Sequence, residues 1–406
     1  MLKSMHRLWA LAFALGIVPI ACGASAGPDL SQAYDGFGLR LFSMLSAENA
    51  GKNTFVSPTS IALALAIVTG GAAGSTRTSM LKTLGVPDAS VEGFNASNKA
   101  LVAELSNPGS DLHFTIANAL WLNKQFSIVP AFVTTSRDVF AATAQDLPFG
   151  EASAAKTIND WVDTHTNGRI PEIVDSTNPD DVMVVTNAIA MKAKWLTEFE
   201  KSDTHDAQFE TGSGGHVTAS MMTHNGSFAY ADKGGWQVAR LPYRGDRFAM
   251  YVLLPHKGTA LHDALHAFDS AAFDGAISGL SEQYIAFSMP RYTATYKAEL
   301  NAPLSTLGMS VAFEPGSADF SKLVEPPQHA FISLVVHRAF VRVDEEGTEA
   351  AAATAVTMRA LAIRQPPETR MIVDRPFLMA IRDDRTKQIL FLGAIYHPER
   401  PSTRSG

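Results

Sequence analysis

The chain is 406 residues long, 46% hydrophobic and 18% charged, with a formal net charge of −7. That is enough apolar material for a large buried core, and the acidic balance argues against nucleic acid as a partner. Cys22 is the only cysteine, which excludes an intramolecular disulfide.

Residues 1–26 differ in character from the rest. Lys3 and Arg7 form a basic start, residues 8–20 an apolar core, and Ala24, Ser25 and Ala26 a small-x-small cleavage site, together an export leader. The apolar run is short for a membrane span and is interrupted by Pro19, so no retained span is expected. Cys22, between Ala21 and Gly23, resembles a bacterial lipoprotein site, although Pro19 stands where that site usually has an aliphatic residue. Two destinations are open: release to the periplasm or extracellular space with Cys22 discarded, or lipid anchoring at the cell surface through Cys22.

No Pro/Gly/Ser-rich linker, charge block or internal repeat divides the remainder, so residues 27–398 read as one domain and 399–406 as a flexible tail. Leu30, Phe37, Leu41, Met44 and Leu45 recur at helical spacing and predict an amphipathic helix over 30–47. Ser57 caps the next helix, with Pro58 in its first turn where the missing amide proton costs nothing. That helix, 58–69, is apolar almost all round and must be central. Ser75 and Gly85 bracket a third helix, and residues 158–165 form a fourth that ends near Asn167 and Gly168.

Residues 113–122 and 182–191 are apolar runs of strand length. From Thr218 onward strands dominate: 237–242, 247–254, 284–290, 331–344 and 376–396, interrupted by a helix over 300–307 that Gly308 closes. Helices early and strands late imply an α+β fold.

An enzyme needs a constellation, and none is present. There is no His-Glu-x-x-His pair, Cys-x-x-Cys or Gly-x-Ser-x-Gly elbow. The run Gly70-Gly-Ala-Ala-Gly-Ser-Thr has the glycines of a phosphate loop but lacks its lysine, and reads better as a helix end followed by a Ser75 cap. No catalytic residues, cofactor or metal site are expected.

The most informative segment is 343–363. Along its middle, the alternate side chains from Thr348 through Ala350, Ala352, Thr354, Val356 and Met358 to Ala360 are small or uncharged, while the intervening set carries Glu349 and Arg359. That is the pattern of a half-buried strand. The alanine run is equally the composition of an amphipathic helix. Glu345, Glu346 and Gly347 before it, and Pro366-Pro367 after it, suit an exposed loop. A segment able to be loop in one state and strand in another is a candidate conformational switch.

The flanking residues decide between these readings. The stretch His337-Arg-Ala-Phe-Val-Arg-Val-Asp-Glu-Glu-Gly-Thr-Glu-Ala-Ala resembles the hinge of the serpins, the serine protease inhibitor superfamily. Asn53-Thr-Phe-Val-Ser-Pro-Thr-Ser-Ile, Gly74-Ser-Thr-Arg-Thr, Ile158-Asn-Asp-Trp-Val, Thr186-Asn-Ala-Ile-Ala-Met-Lys-Ala-Lys-Trp, Leu241-Pro-Tyr-Arg-Gly, Arg375-Pro-Phe-Leu-Met-Ala-Ile and Phe391-Leu-Gly-Ala-Ile-Tyr-His-Pro are similar to further family motifs, in family order. The resemblance runs from about residue 30 to residue 398. It implies three β-sheets, about nine helices and an exposed reactive-centre loop over about 345–367.

It also implies a function: suicide inhibition, in which a target serine protease attacks the loop and is trapped as an acyl complex when the cleaved loop enters the main sheet. The family register places the scissile bond between Leu361 and Ala362, with Met358, Arg359, Ala360 and Ile363 as neighbouring specificity positions. Leucine suits chymotrypsin-like pockets and Ala360 an elastase-like one, while a shifted register at Arg359 or Arg364 would redirect the loop to trypsin-like proteases. The hinge comprises Glu345, Glu346, Gly347, Thr348, Glu349, Ala350, Ala351, Ala352, Ala353 and Thr354, with Thr348 expected to be the first side chain buried. Ser57, Ser60, Asn187 and His337 match the family's polar cluster where the central strands part, and Trp195 and Thr204 match positions near the top of the opening. The region that carries a heparin-binding helix in some members, about 86–105, has Lys99 as its only basic residue, so no polyanion activation is expected. The inhibitor is expected to be monomeric. The alternatives are a non-inhibitory serpin acting as chaperone, carrier or surface-binding protein, and an inhibitor of cysteine proteases.

Overall fold

The computed structural model of the chain describes residues 27–106, 112–266, 268–348 and 367–400. Nine α-helices lie among these residues: α1 (Leu30–Glu48), α2 (Pro58–Gly71), α3 (Gly74–Thr83), α4 (Val91–Ser106), α5 (Pro130–Phe140), α6 (Ala152–His165), α7 (Leu261–Leu265), α8 (Ser270–Ile277) and α9 (Asn301–Leu304). The Asp29 carboxylate accepts from the Ser31 amide and starts α1, whose stripe of Tyr34, Phe37, Leu41 and Leu45 faces the core. In α2 the Ser57 hydroxyl accepts from the Ser60 amide at 3.3 Å, and the helix is buried on every side. Only at α3 does the expected cap fail. The helix opens at Gly74, one residue before Ser75, and no side chain caps it; Ala73 instead donates its amide to Asp319 O at 2.9 Å. The predicted helix over 300–307 is α9 followed by a distorted turn, kinked where Gly308 takes φ 115°.

The central sheet is built from β10 (Tyr292–Glu299), β11 (Leu334–Asp344), β12 (Gly347–Thr348), β4 (Met183–Lys194), β2 (Leu112–Asn123) and β3 (Thr143–Leu147), in that order. Both faces are covered. Packed on one side is α2; on the other, α6 brings Ile158 and Val162 to a second core with Trp121 and Val184. Being buried on both faces, β4 reads as a nearly continuous apolar run.

A second hydrogen-bonded network orders β1 (Thr54–Val56), β15 (Ile389–Ile395), β14 (Phe377–Asp383), β8 (Phe248–Pro255), β7 (Trp236–Pro242), β6 (His216–Lys233), β9 (Ser281–Pro290) and β13 (Thr369–Ile372), with β5 (His205–Glu210) also on β6. The 18-residue β6 belongs to two sheets: residues 216–230 pair with β5 and β9, whereas only 229–233 pair with β7. Three sheets are therefore joined into two networks by one long shared strand. The run 376–396 resolves into the β14–β15 hairpin. Among the described residues, no helix is long and apolar enough to cross a membrane.

Candidate functional site

Two regions of the β4–β11 seam carry the sequence-predicted residues. Over Leu334–Phe340 and Val184–Ala190 the two strands pair directly and in parallel. Beyond that, at their C-terminal ends, β12 lies between them: Thr348 pairs with Val343 on one side and Ala193 on the other, and Gly347 with Asp344 and Lys194.

The hinge end is held chiefly by backbone and charge. The amides of Trp195 and Phe199 donate to Glu346 O and Glu345 O at 3.0 and 2.9 Å, and the Trp195 indole N–H donates to Asp344 O at 2.9 Å. Glu345 accepts at Oε1 from Thr204 Oγ1 at 2.9 Å and from Arg291 at 3.3 Å. Glu346 Oε1 takes a hydrogen bond from Lys201 Nζ at 2.7 Å, while its Oε2 is buried with no hydrogen-bond partner among the described residues. Burial also pushes the Asp344 carboxyl above its ordinary range. Gly347 sits at φ 154°, and a Cβ there would lie 2.0 Å from Ala193 O, so only glycine fits this close approach.

Thr348 is fully buried, and its hydroxyl shares a 2.7 Å hydrogen bond with the Tyr243 hydroxyl. Tyr243 in turn stacks on Trp195 with ring centroids 4.6 Å apart. The segment expected to begin an exposed loop at residue 345 is instead buried from its first residue, so Thr348 is not the first side chain buried: Glu345 and Glu346 form a buried turn after β11, and Gly347 and Thr348 enter the sheet as β12. The reason is that strands on both sides and cations around the two carboxylates compensate them there.

The paired region of the seam is closed by neutral groups. Asn187 and His337 face each other in register, and His337 Nδ1 lies 2.5 Å from Asn187 Oδ1. His337 Nε2 accepts from the Ser57 amide at 3.4 Å, so the network assigns the proton to Nδ1. The Asn187 amide nitrogen donates to Ser60 Oγ at 2.6 Å, Ser60 O at 3.0 Å and Asn118 Oδ1 at 2.5 Å. Burial pushes the His337 imidazolium down to about 3, which keeps the ring neutral. Ser57 thus caps α2 and contacts the seam at once.

The structure brings Ser57, Ser60, Asn187 and His337 together in one network, and Trp195 and Thr204 together at the hinge. It adds Asn118, Tyr243, Arg291, Lys201 and Phe199, which the sequence reading did not select. Of these only Tyr243 lies within a family-like motif, Leu241-Pro-Tyr-Arg-Gly. The hinge residues Glu349 to Thr354, the loop positions Met358, Arg359, Ala360, Leu361, Ala362 and Ile363, and Cys22 lie outside the described residues.

Residues 32–398 match the family model described as "Serpin (serine protease inhibitor)". Leukocyte elastase inhibitor from Homo sapiens is 33% identical over 91% of this chain and 99% of its own length. Among solved structures, human thyroxine-binding globulin complexed with thyroxine superposes with a TM-score of 0.84 at 26% identity, over 91% of this chain and 99% of that one. Tengpin, a thermophilic serpin in its native state, gives 0.82 at 30% identity, over 91% and 94%. The seam, the two-residue strand wedged into its end and these matches have one reading: the chain belongs to the serpin family.

Proposed function

We propose that the chain is an exported, monomeric suicide inhibitor of serine proteases of chymotrypsin-like or elastase-like specificity. The observation that carries the reading is Thr348: a small hinge side chain already paired on both edges at the mouth of the β4–β11 seam. The stretch from Glu349 to Gln365 is free of proline and rich in alanine, so every backbone amide can join a central ladder.

In this reading the protease serine attacks the carbonyl of Leu361, the Leu361–Ala362 bond breaks, and the residues that follow Thr348 enter between β4 and β11 behind it. About fourteen residues at roughly 3.3 Å each carry the acyl-bound protease some 45 Å along the sheet. Asn187 and His337 form the gate that must open, and Trp195 and Thr204 hold the entrance. The likeness to leukocyte elastase inhibitor supports a small or apolar residue at the cleavage position.

Incubation with chymotrypsin-, elastase-, trypsin- and papain-like proteases tests the proposal. A complex that survives denaturing electrophoresis, with Ala362 at the start of the released C-terminal peptide, is the expected result. Cleavage with the protease left fully active would overturn it. The carrier reading draws on the likeness to a thyroxine-binding serpin; it predicts that loop cleavage without trapping is the outcome with all four proteases.

A further inference from the structure

Beside residues 195–199, which hold the hinge, lies a cavity of about 250 Å³. Phe199, Phe228, Leu241 and Pro242 give it apolar walls, and Leu196 stands at its mouth 51% exposed. The ionisable lining residues are Asp246, Glu282, Arg240 and His224, the last a neutral imidazole above its ordinary titration range. Arg240 is already engaged, by Asp384 at 2.8 Å and by Asp246 at 2.9 Å. Glu282 Oε2 accepts from Ser227 Oγ at 2.7 Å, which fixes the carboxylate at the site.

An anion entering this cavity would meet two carboxylates and a guanidinium that is already paired. A cation meets net negative charge, and an aromatic body attached to it packs against the phenylalanine side chains. Small-molecule pockets usually span roughly 300–1,000 Å³, so this one suits a single ring with a short arm.

The same residues connect the cavity to the hinge. Leu196 donates its amide to Pro242 O at 2.8 Å, and its neighbour Trp195 and nearby Phe199 donate theirs to Glu346 O and Glu345 O. A molecule bridging residues 195–199 to β6 and β7 restrains the donors on which the hinge backbone hangs. Binding and hinge order are then linked reciprocally.

We propose that this cavity binds a small aromatic amine, and that occupancy tightens the hold of Glu345 to Thr348 within the sheet. The proposal stands apart from whether the loop traps a protease. The probe is 2-phenylethylamine, titrated calorimetrically into the full chain, with 3-phenylpropionate as its charge-reversed counterpart. Saturable binding at least tenfold tighter for the amine is expected. Glu282→Gln should weaken the amine at least fivefold without moving the melting temperature of the unliganded chain, and Phe228→Leu should weaken it as well. Hydrogen exchange in a peptide covering 344–348 should slow severalfold at saturating amine. Equal affinity for the two probes, or no saturation, overturns the site; tight binding with unchanged exchange at 344–348 overturns the coupling.

Discussion

At the hinge end, Gly347 and Thr348 lie between β4 and β11, and exposed or half-exposed cations act on Glu345 and Glu346 beside them. Further along, the same two strands touch directly, and the contact is sealed by Asn187, His337, Ser60, Ser57 and Asn118, all uncharged. Among the described residues, none of these side chains in the second region has a buried polar atom without a partner, whereas at the hinge Glu346 Oε2 has none. An opening that starts at the hinge therefore breaks a contact that is incompletely satisfied and easily screened. One that starts at Asn187 would have to strand several buried polar groups at once, each worth about 1–3 kcal/mol. On the mechanism proposed above, this asymmetry sets the direction of opening.

The strongest way to break the contrast is to put charge where the hinge is neutral. Thr348→Arg buries a guanidinium in place of the Tyr243 hydrogen bond, and an uncompensated buried charge costs about 3–5 kcal/mol. The hinge should leave the sheet, and incubation with a chymotrypsin-like protease should yield almost only cleaved chain on a denaturing gel; undiminished complex would refute the role given to this residue.

Next in size is the seam. Asn187→Ala leaves His337 Nδ1, Ser60 Oγ and Asn118 Oδ1 without their shared partner, for an expected loss of about 2–4 kcal/mol. The urea midpoint should fall accordingly, and native gels should show new slowly migrating species as the strands separate. A midpoint unchanged from the parent would mean that the network does not hold the strands.

The pH dependence sharpens the comparison further. His337 titrates at about 3 in the fold against 6.5 unfolded, so between these values the unfolded chain binds the extra proton and stability falls on acidification, by about 1.4 kcal/mol per pH unit at most. Asp35, half-buried on α1 where it accepts from Gln388 and the Ile389 amide, runs the other way. Burial raises it from 3.8 to about 7, so its contribution is present below 3.8 and is lost as pH rises toward 7. The two slopes oppose each other in the parent. His337→Gln should leave a chain that gains stability on acidification from pH 6.5 to 4, and Asp35→Asn one that loses it, both read from urea midpoints.

The smallest effect belongs to the exposed partner at the hinge. Lys201 is 65% exposed, so Lys201→Met should cost no more than about 1 kcal/mol in dilute buffer. That difference should vanish in concentrated salt, whereas the Asn187→Ala loss should persist.

Much of this was legible in the chain. Gly347 and Thr348 could be singled out because their neighbours match a family pattern and because small side chains are what a closing sheet admits. Ser57 was recognisable as a cap from Pro58 beside it. Their partners were not, because contact across a sheet leaves no local trace: Tyr243 lies 105 residues from Thr348, Lys201 145 from Glu346, and Asn118 69 from Asn187. Nor could the failed cap at Ser75 be foreseen, since Asp319 supplies a tertiary contact at the start of α3.

The sequence by itself determined the family, the α+β order of elements, and a hinge whose small, proline-free residues are compatible with a buried strand, since these depend on local composition and spacing. Only the tertiary structure decided that Gly347 and Thr348 already sit in the sheet. That outcome rests on two strand edges, a tyrosine hydroxyl and cations from distant segments converging on four residues, and no one segment of the chain carries enough of those interactions to dictate it.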